Sequence, residues 1–163
     1  MKRRSALDKS TLFFLLAICL TQYSCIPQID VFERDVTMPK QEWQNDFKPQ
    51  IDFNIEDTAS LYDIYLVLRH SDAYDYNNIW IKATVLQPGD SKPRSQQYDV
   101  TLATNNRGWL GTGMDDVYEQ RILIQPQTKF ARPGDYRFTL EQIMRENPLL
   151  HVLSAGLRIE KIR

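Results

Sequence analysis

The chain has 163 residues, carries 20 Lys and Arg against 21 Asp and Glu for a formal charge of −1, and holds only two histidines and two cysteines. That balance argues against a nucleic-acid surface, and two isolated histidines without HxH or HExxH spacing argue against a histidine-built metal site. The length suits one domain with a sizeable core rather than two.

Taken in order, Lys2, Arg3, Arg4 and Lys9 form a basic head in front of the apolar run Thr11–Leu20. A run of about ten residues is too short to cross a hydrocarbon core of roughly 30 Å but fits the apolar region of an export signal. Ser24-Cys25 closes it. A small residue before a cysteine at this distance is what signal peptidase II requires, so Cys25 is the expected lipidation site; Gln22 and Tyr23 depart from the usual lead-in, and an ordinary secreted protein is the alternative. Cleavage removes Lys2, Arg3, Arg4 and Lys9 together with Asp8, which moves the formal charge from −1 to −4. Cys19 leaves with that segment, so the mature domain has neither a disulfide nor a free thiol. The expected organisation is a lipoprotein signal peptide over 1–24, a lipidated tether with a first edge strand over 25–45, and a β-sandwich over 46–163.

Residues 30–36 read as a short strand and Pro39 breaks any helix, while Trp43 reads as a residue sealing one end of a core. In 46–56, Phe47, Ile51, Phe53 and Ile55 mark a strand. Tyr62, Ile64, Leu66 and Leu68 then share one parity, and Ile79, Ile81, Ala83 and Val85 repeat the pattern with Trp80 and Lys82 on the opposite side. The rest of the chain reads as more sheet around this pair. Between them, Arg69–Asn78 is too long for a tight hairpin turn and holds Tyr74 and Tyr76 among polar residues, so it is a surface loop or a contact loop.

Gln87-Pro88-Gly89-Asp90 and Arg132-Pro133-Gly134-Asp135 are reversals. Tyr98, Val100 and Leu102 mark a strand between them, as do Ile122 and Ile124, with Pro126 ending the latter or placing it on an edge. The run 104–116 holds three of the six glycines around Trp109-Leu110. It lacks the GK[ST] of a phosphate loop and opens no apolar helix, so close backbone approach, with Trp109 and Leu110 inserted into the sandwich, is the better reading. Tyr136, Phe138 and Leu140 point inward from the next strand, 142–146 has room for one helical turn, and the chain closes on a strand with Leu153, Ala155, Leu157 and Ile159 on one face. About eight strands with no long amphipathic helix make an all-β, single-domain antiparallel β-sandwich of jelly-roll or immunoglobulin-like kind.

Chemistry is sparse. No GxSxG occurs, and although Asp115-Asp116 and Glu119 could in principle supply a glycosidase carboxylate pair, neighbours on a strand face opposite ways, so Asp115 and Asp116 do not naturally converge and read as loop or turn carboxylates. No catalytic residue, metal or cofactor is expected. Aromatic residues in or beside loops are the better signal, since flat rings with polar neighbours serve protein and sugar recognition.

In its ordered segments the chain resembles the GldH family of gliding-motility lipoproteins of Bacteroidetes. The resemblance rests on Cys25, Leu68-Arg69 with Tyr74, Tyr76 and Asn78, the run from Gly108 to Gly113, Pro133-Gly134-Asp135-Tyr136-Arg137-Phe138, Glu141-Gln142 with Met144-Arg145, and Gly156-Leu157-Arg158-Ile159-Glu160. Asp75 stands where the family usually has a proline between the two tyrosines. The resemblance implies a non-enzymatic accessory lipoprotein of the gliding and associated secretion apparatus, whose partners are other cell-envelope proteins. The expected partner-binding residues are Arg69, Tyr74, Tyr76, Asn78, Trp80 and Trp109. A carbohydrate-binding envelope lipoprotein is the alternative, favoured if Tyr74, Tyr76 and Trp80 form an exposed coplanar row. Without a dense acidic run after Cys25, the expected location is the outer membrane, facing the periplasm.

Overall fold

The computed structural model describes residues 31–162; the expected signal peptide and Cys25 lie outside them. The strands are β1 (Val31–Thr37), β2 (Glu42–Trp43), β3 (Gln50–Ile55), β4 (Leu61–Ser71), β5 (Asn78–Leu86), β6 (Arg94–Thr101), β7 (Ala103–Thr104), β8 (Gly108–Trp109), β9 (Thr112–Met114), β10 (Val117–Thr128), β11 (Gly134–Gln142), β12 (Leu149–Leu150) and β13 (Val152–Ile162). Nine of them form two antiparallel sheets, ordered β1-β13-β4-β10-β9 and β3-β11-β5-β6, while β2 with β12 and β7 with β8 make two-residue ladders. The protein is an all-β sandwich.

Period-2 patterning accounts for the core. Ile64, Leu66 and Leu68 of β4 lie level with Ile159, Leu157 and Ala155 of β13. They face Ile51 and Phe53 of β3, Phe138 and Leu140 of β11, and Ile79 and Ile81 of β5, all buried. Trp43 is fully buried, sealing one end as expected, and donates its indole N–H to the Phe47 carbonyl at 2.9 Å. At roughly 1.5–3 kcal/mol for each large apolar side chain removed from water, this core is the main source of stability in a domain without a disulfide.

Three expectations are corrected. The two central apolar strands do not sit side by side: β4 pairs with β13 and β10, whereas β5 pairs with β11 and β6. The segment between them therefore crosses from one sheet to the other, which is why it is longer than a turn. Residues 142–146 form no helical turn; Gln142 ends β11, and its side chain holds residues 143–146 in an irregular path. Leu110 is exposed rather than inserted, because the chain turns there into β9, the one strand of the two sheets that the sequence pattern hid among glycines. Gly111 permits that turn, since a Cβ placed there would lie 2.4 Å from the Glu119 carbonyl oxygen.

β9 covers β10 only over Val117–Glu119. Beyond it β10 is an edge strand, and its pairing with β4 carries register shifts after Leu123 and after Gln125, the second spanning Pro126, as expected of a proline on an edge.

Candidate interaction site at one end of the sandwich

The segment leaving β4 is pinned before it reaches β5. Ser71 N–H donates to the His151 carbonyl at 3.0 Å, Asp72 N–H to the Asp116 carbonyl at 2.8 Å, and Tyr74 N–H to the Ser71 carbonyl at 3.2 Å. Tyr74 turns inward, 4% exposed, and its hydroxyl donates to the Asn78 carbonyl at 3.1 Å. Burial pushes its phenol pKa well above the ordinary value. Tyr76, two residues on, points outward. Its ring meets that of Tyr74 edge-on at 5.8 Å, and its hydroxyl donates to Glu146 Oε2 at 2.6 Å.

Trp80 stands on the outer face of β5, 41% exposed. Its backbone N–H donates to Met144 Sδ at 3.3 Å and its carbonyl accepts from Ile143 N–H at 3.0 Å. Asn78 donates to Asp99 Oδ1 at 2.7 Å. Tyr76, Asn78 and Trp80 thus form one wall of an open cleft of about 430 Å³, and Met144, Arg145 and Glu146 the other.

Gln142 builds the second wall. It is buried; its amide donates to the carbonyls of Trp43 and Glu146 at 3.3 and 3.2 Å, and its Oε1 accepts Met144 N–H at 2.8 Å. Sequence reasoning missed it, because a glutamine at the end of a strand carries no outward mark of burial.

Trp109 belongs to an adjoining cluster. Its half-buried ring lies 4.5 Å from His70 and 5.8 Å from Tyr118 between ring centroids. His70 is fully buried; its Nδ1 lies 2.8 Å from the Ser71 carbonyl oxygen and its Nε2 lies 3.2 Å from Gln120 Nε2. Gln120 also donates to the Leu102 carbonyl at 2.9 Å. The set is satisfied by a neutral imidazole that donates from Nδ1 and accepts at Nε2, and burial accordingly lowers the His70 pKa despite the opposing pull of the Ser71 carbonyl.

Arg69 lies elsewhere, on the outer face of the first sheet. It meets Glu119 at 2.5 Å and Asp35 at 3.7 Å. Arg121 joins Glu119 to Glu33, and Arg158 joins Glu33 to Glu160, giving one continuous network of seven side chains. The hydrogen bond from Arg121, with help from Arg158, outweighs desolvation and holds the Glu33 carboxyl below its ordinary range. The structure therefore brings Tyr76, Asn78 and Trp80 together, places Tyr74 and Trp109 beneath and beside them, and leaves Arg69 apart. Asp115 and Asp116 form the turn between β9 and β10. Among the described residues no group of three His, Cys, Asp or Glu side chains converges as a metal site, and no helix is long and apolar enough to cross a membrane.

The family model described as GldH lipoprotein matches residues 30–159. The chain belongs to the GldH lipoprotein family. Membership in that family makes it a lipid-anchored protein of the cell envelope. It is 29% identical over 128 residues to a gliding motility lipoprotein GldH homolog of Christiangramia forsetii, covering 74% of this chain and 78% of the relative. To the gliding motility lipoprotein GldH of Flavobacterium johnsoniae it is 24% identical over 127 residues, covering 73% and 77%. Among solved structures, the infectious bursal disease virus VP2 subviral particle overlays with a TM-score of 0.40 at 12% identity; the overlay covers 82% of this chain and 33% of that one, and is too loose to carry an argument. The segments Leu68-Arg69 and Gly156–Glu160, which suggested the GldH family in the sequence, lie on the neighbouring strands β4 and β13, Leu68-Arg69 level with Ala155 and Ser154 and Gly156–Glu160 level with Val67–Asp63.

Proposed function

We propose that the protein is a lipid-tethered, non-enzymatic subunit of the gliding-motility and associated secretion apparatus, held through Cys25 at the outer membrane facing the periplasm. It works by binding other envelope proteins through the end of the sandwich that carries Tyr76 and Trp80. The names of its relatives support the gliding role. One observation carries the binding role: of seven large apolar side chains exposed among the described residues, five (Tyr76, Trp80, Leu110, Met114 and Leu150) gather at this end. Exposed apolar groups clustered with polar neighbours mark interaction surfaces, whereas singly scattered ones are ordinary. Tethering concentrates the domain at a surface, so a modest patch suffices. A glycan platform gains no support, because Tyr74 is buried and meets Tyr76 at 67°, which leaves no coplanar row.

The test is affinity purification of the tagged protein from its host after mild crosslinking, with Cys25→Ser and a double Tyr76→Ala, Trp80→Ala variant alongside. Recovery of gliding or secretion components from the wild type, and their loss from both variants while the double variant keeps its thermal midpoint, is expected. Equal recovery from the double variant removes the patch assignment. Recovery of bulk envelope proteins alone moves the weight to glycans, which an array of sugars then checks.

A further inference from the structure

We infer that the sandwich stands off the bilayer, with its aromatic end directed away from the lipid towards a protein partner that is apolar at the centre and basic at the rim. The inference rests on the reading of Cys25 as the lipid anchor.

The described chain begins at Val31, level with Glu160 of β13, which is in turn level with Asp63 of β4. From Asp63 to Ser71, where β4 reaches the aromatic end, is eight residues, or about 26 Å at roughly 3.3 Å per residue. From Cys25 to Val31 is six residues, which reach about 20 Å at most when fully extended. A tether that short cannot turn the domain over and bring the aromatic end to the bilayer. Nor do the sides of the sandwich offer lipid a stripe to hold. One outer face carries the seven-membered ion-pair network, and the other presents the Asp52–Arg137 and Lys82–Glu141 pairs. Leu61 and Leu123 lie singly on the first of these faces and Trp80 on the second, exposed but forming no stripe.

Charge separates the two ends. In the loops that carry or flank the exposed apolar groups (72–77, 104–116 and 143–148), Asp72, Asp75, Asp115, Asp116 and Glu146 stand against Arg107 and Arg145, a balance of −3. In the loops of the opposite end (56–60, 87–93 and 129–133), Glu56, Asp57 and Asp90 stand against Lys92, Lys129 and Arg132, a balance of zero. An acidic rim around apolar groups is repelled by anionic headgroups and complementary to a basic protein surface.

The lipidated protein is reconstituted in phosphatidylethanolamine–phosphatidylglycerol vesicles carrying nitroxide headgroups, with a single fluorophore on an Ala59→Cys or an Ala73→Cys variant. Both alanines are exposed, one at each end. Strong quenching of the label at position 59 and little at position 73 is expected. Quenching at 73 equal to or above that at 59 overturns the inference, since the aromatic end would then lie on lipid. Failure of the protein to float with vesicles would instead remove the anchor reading, and the inference with it. A benzophenone on the Ala73→Cys variant in host envelopes supplies the second arm. Adducts to a polypeptide through a segment rich in Lys or Arg are expected; adducts to lipid alone, or to acidic segments, overturn it.

Discussion

The outer face of the first sheet and the aromatic end use the same kinds of side chain to opposite ends. On the face, three arginines and four carboxylates satisfy one another, and even Val67, which points outward, is only 1% exposed beneath them. At the end, Tyr76 spends its hydroxyl on Glu146 and leaves its ring in water beside Trp80. A surface that is internally complete has little left to offer a partner, whereas one that holds apolar groups in place without covering them is already prepared to be covered.

The largest effect expected from breaking this contrast comes from a residue that touches no solvent. Gln142→Leu strands the Trp43 and Glu146 carbonyls and the Met144 amide. It should cost about 2–3 kcal/mol in a denaturant titration and abolish partner capture, although Tyr76 and Trp80 are untouched. Retained capture would show that the 143–146 wall is dispensable. On the ion-pair face, Glu33→Gln weakens the links to Arg121 and Arg158 and should cost about 1 kcal/mol, as a network of part-exposed pairs allows. Capture should be unchanged; its loss would make the face part of the interface.

The smallest effect separates the two regions by pH. His70, Glu33 and Glu141 all have folded pKa values below their ordinary ones, because of burial for His70, Arg121 for Glu33 and Lys82 for Glu141. In each case the unfolded chain takes the proton first, so the stabilisation is present above the ordinary pKa and lost as pH falls below it. Stability should therefore decline below about pH 6.5 through His70, and again below about pH 4.5 through the carboxylates. His70→Gln should flatten the first decline and Glu33→Gln reduce the second. An unchanged first slope would remove His70 as its cause.

What the sequence made legible is what is local. Alternation in 62–68, 79–85 and 136–140 fixed which side chains face inward, because side-chain direction in a strand depends only on parity. Pairing depends on distant segments, and nothing in 61–86 reveals that its two strands join different sheets. Tyr74 and Tyr76 share a loop with no period, so only the contacts of Tyr74 with His70 and Trp109 decide that one ring is buried and the other exposed. Leu110 read as an inserted residue and Met114 went unmarked, because the turn that exposes them depends on how closely Gly111 approaches the Glu119 backbone opposite.

The position of β13 has a consequence for the order of events in the life of the chain. This strand, the last described, lies between β1 and β4, and Gly156 meets β1 so closely that an added Cβ would fall 2.2 Å from the Arg34 carbonyl oxygen. Neither β1 nor β4 can complete its ladder until residues 152–162 have been synthesised. Until then β1 has no strand partner in its sheet and β4 has only β10, so the first sheet stays open, and the chain around β1 threadable, until residues 152–162 have been made.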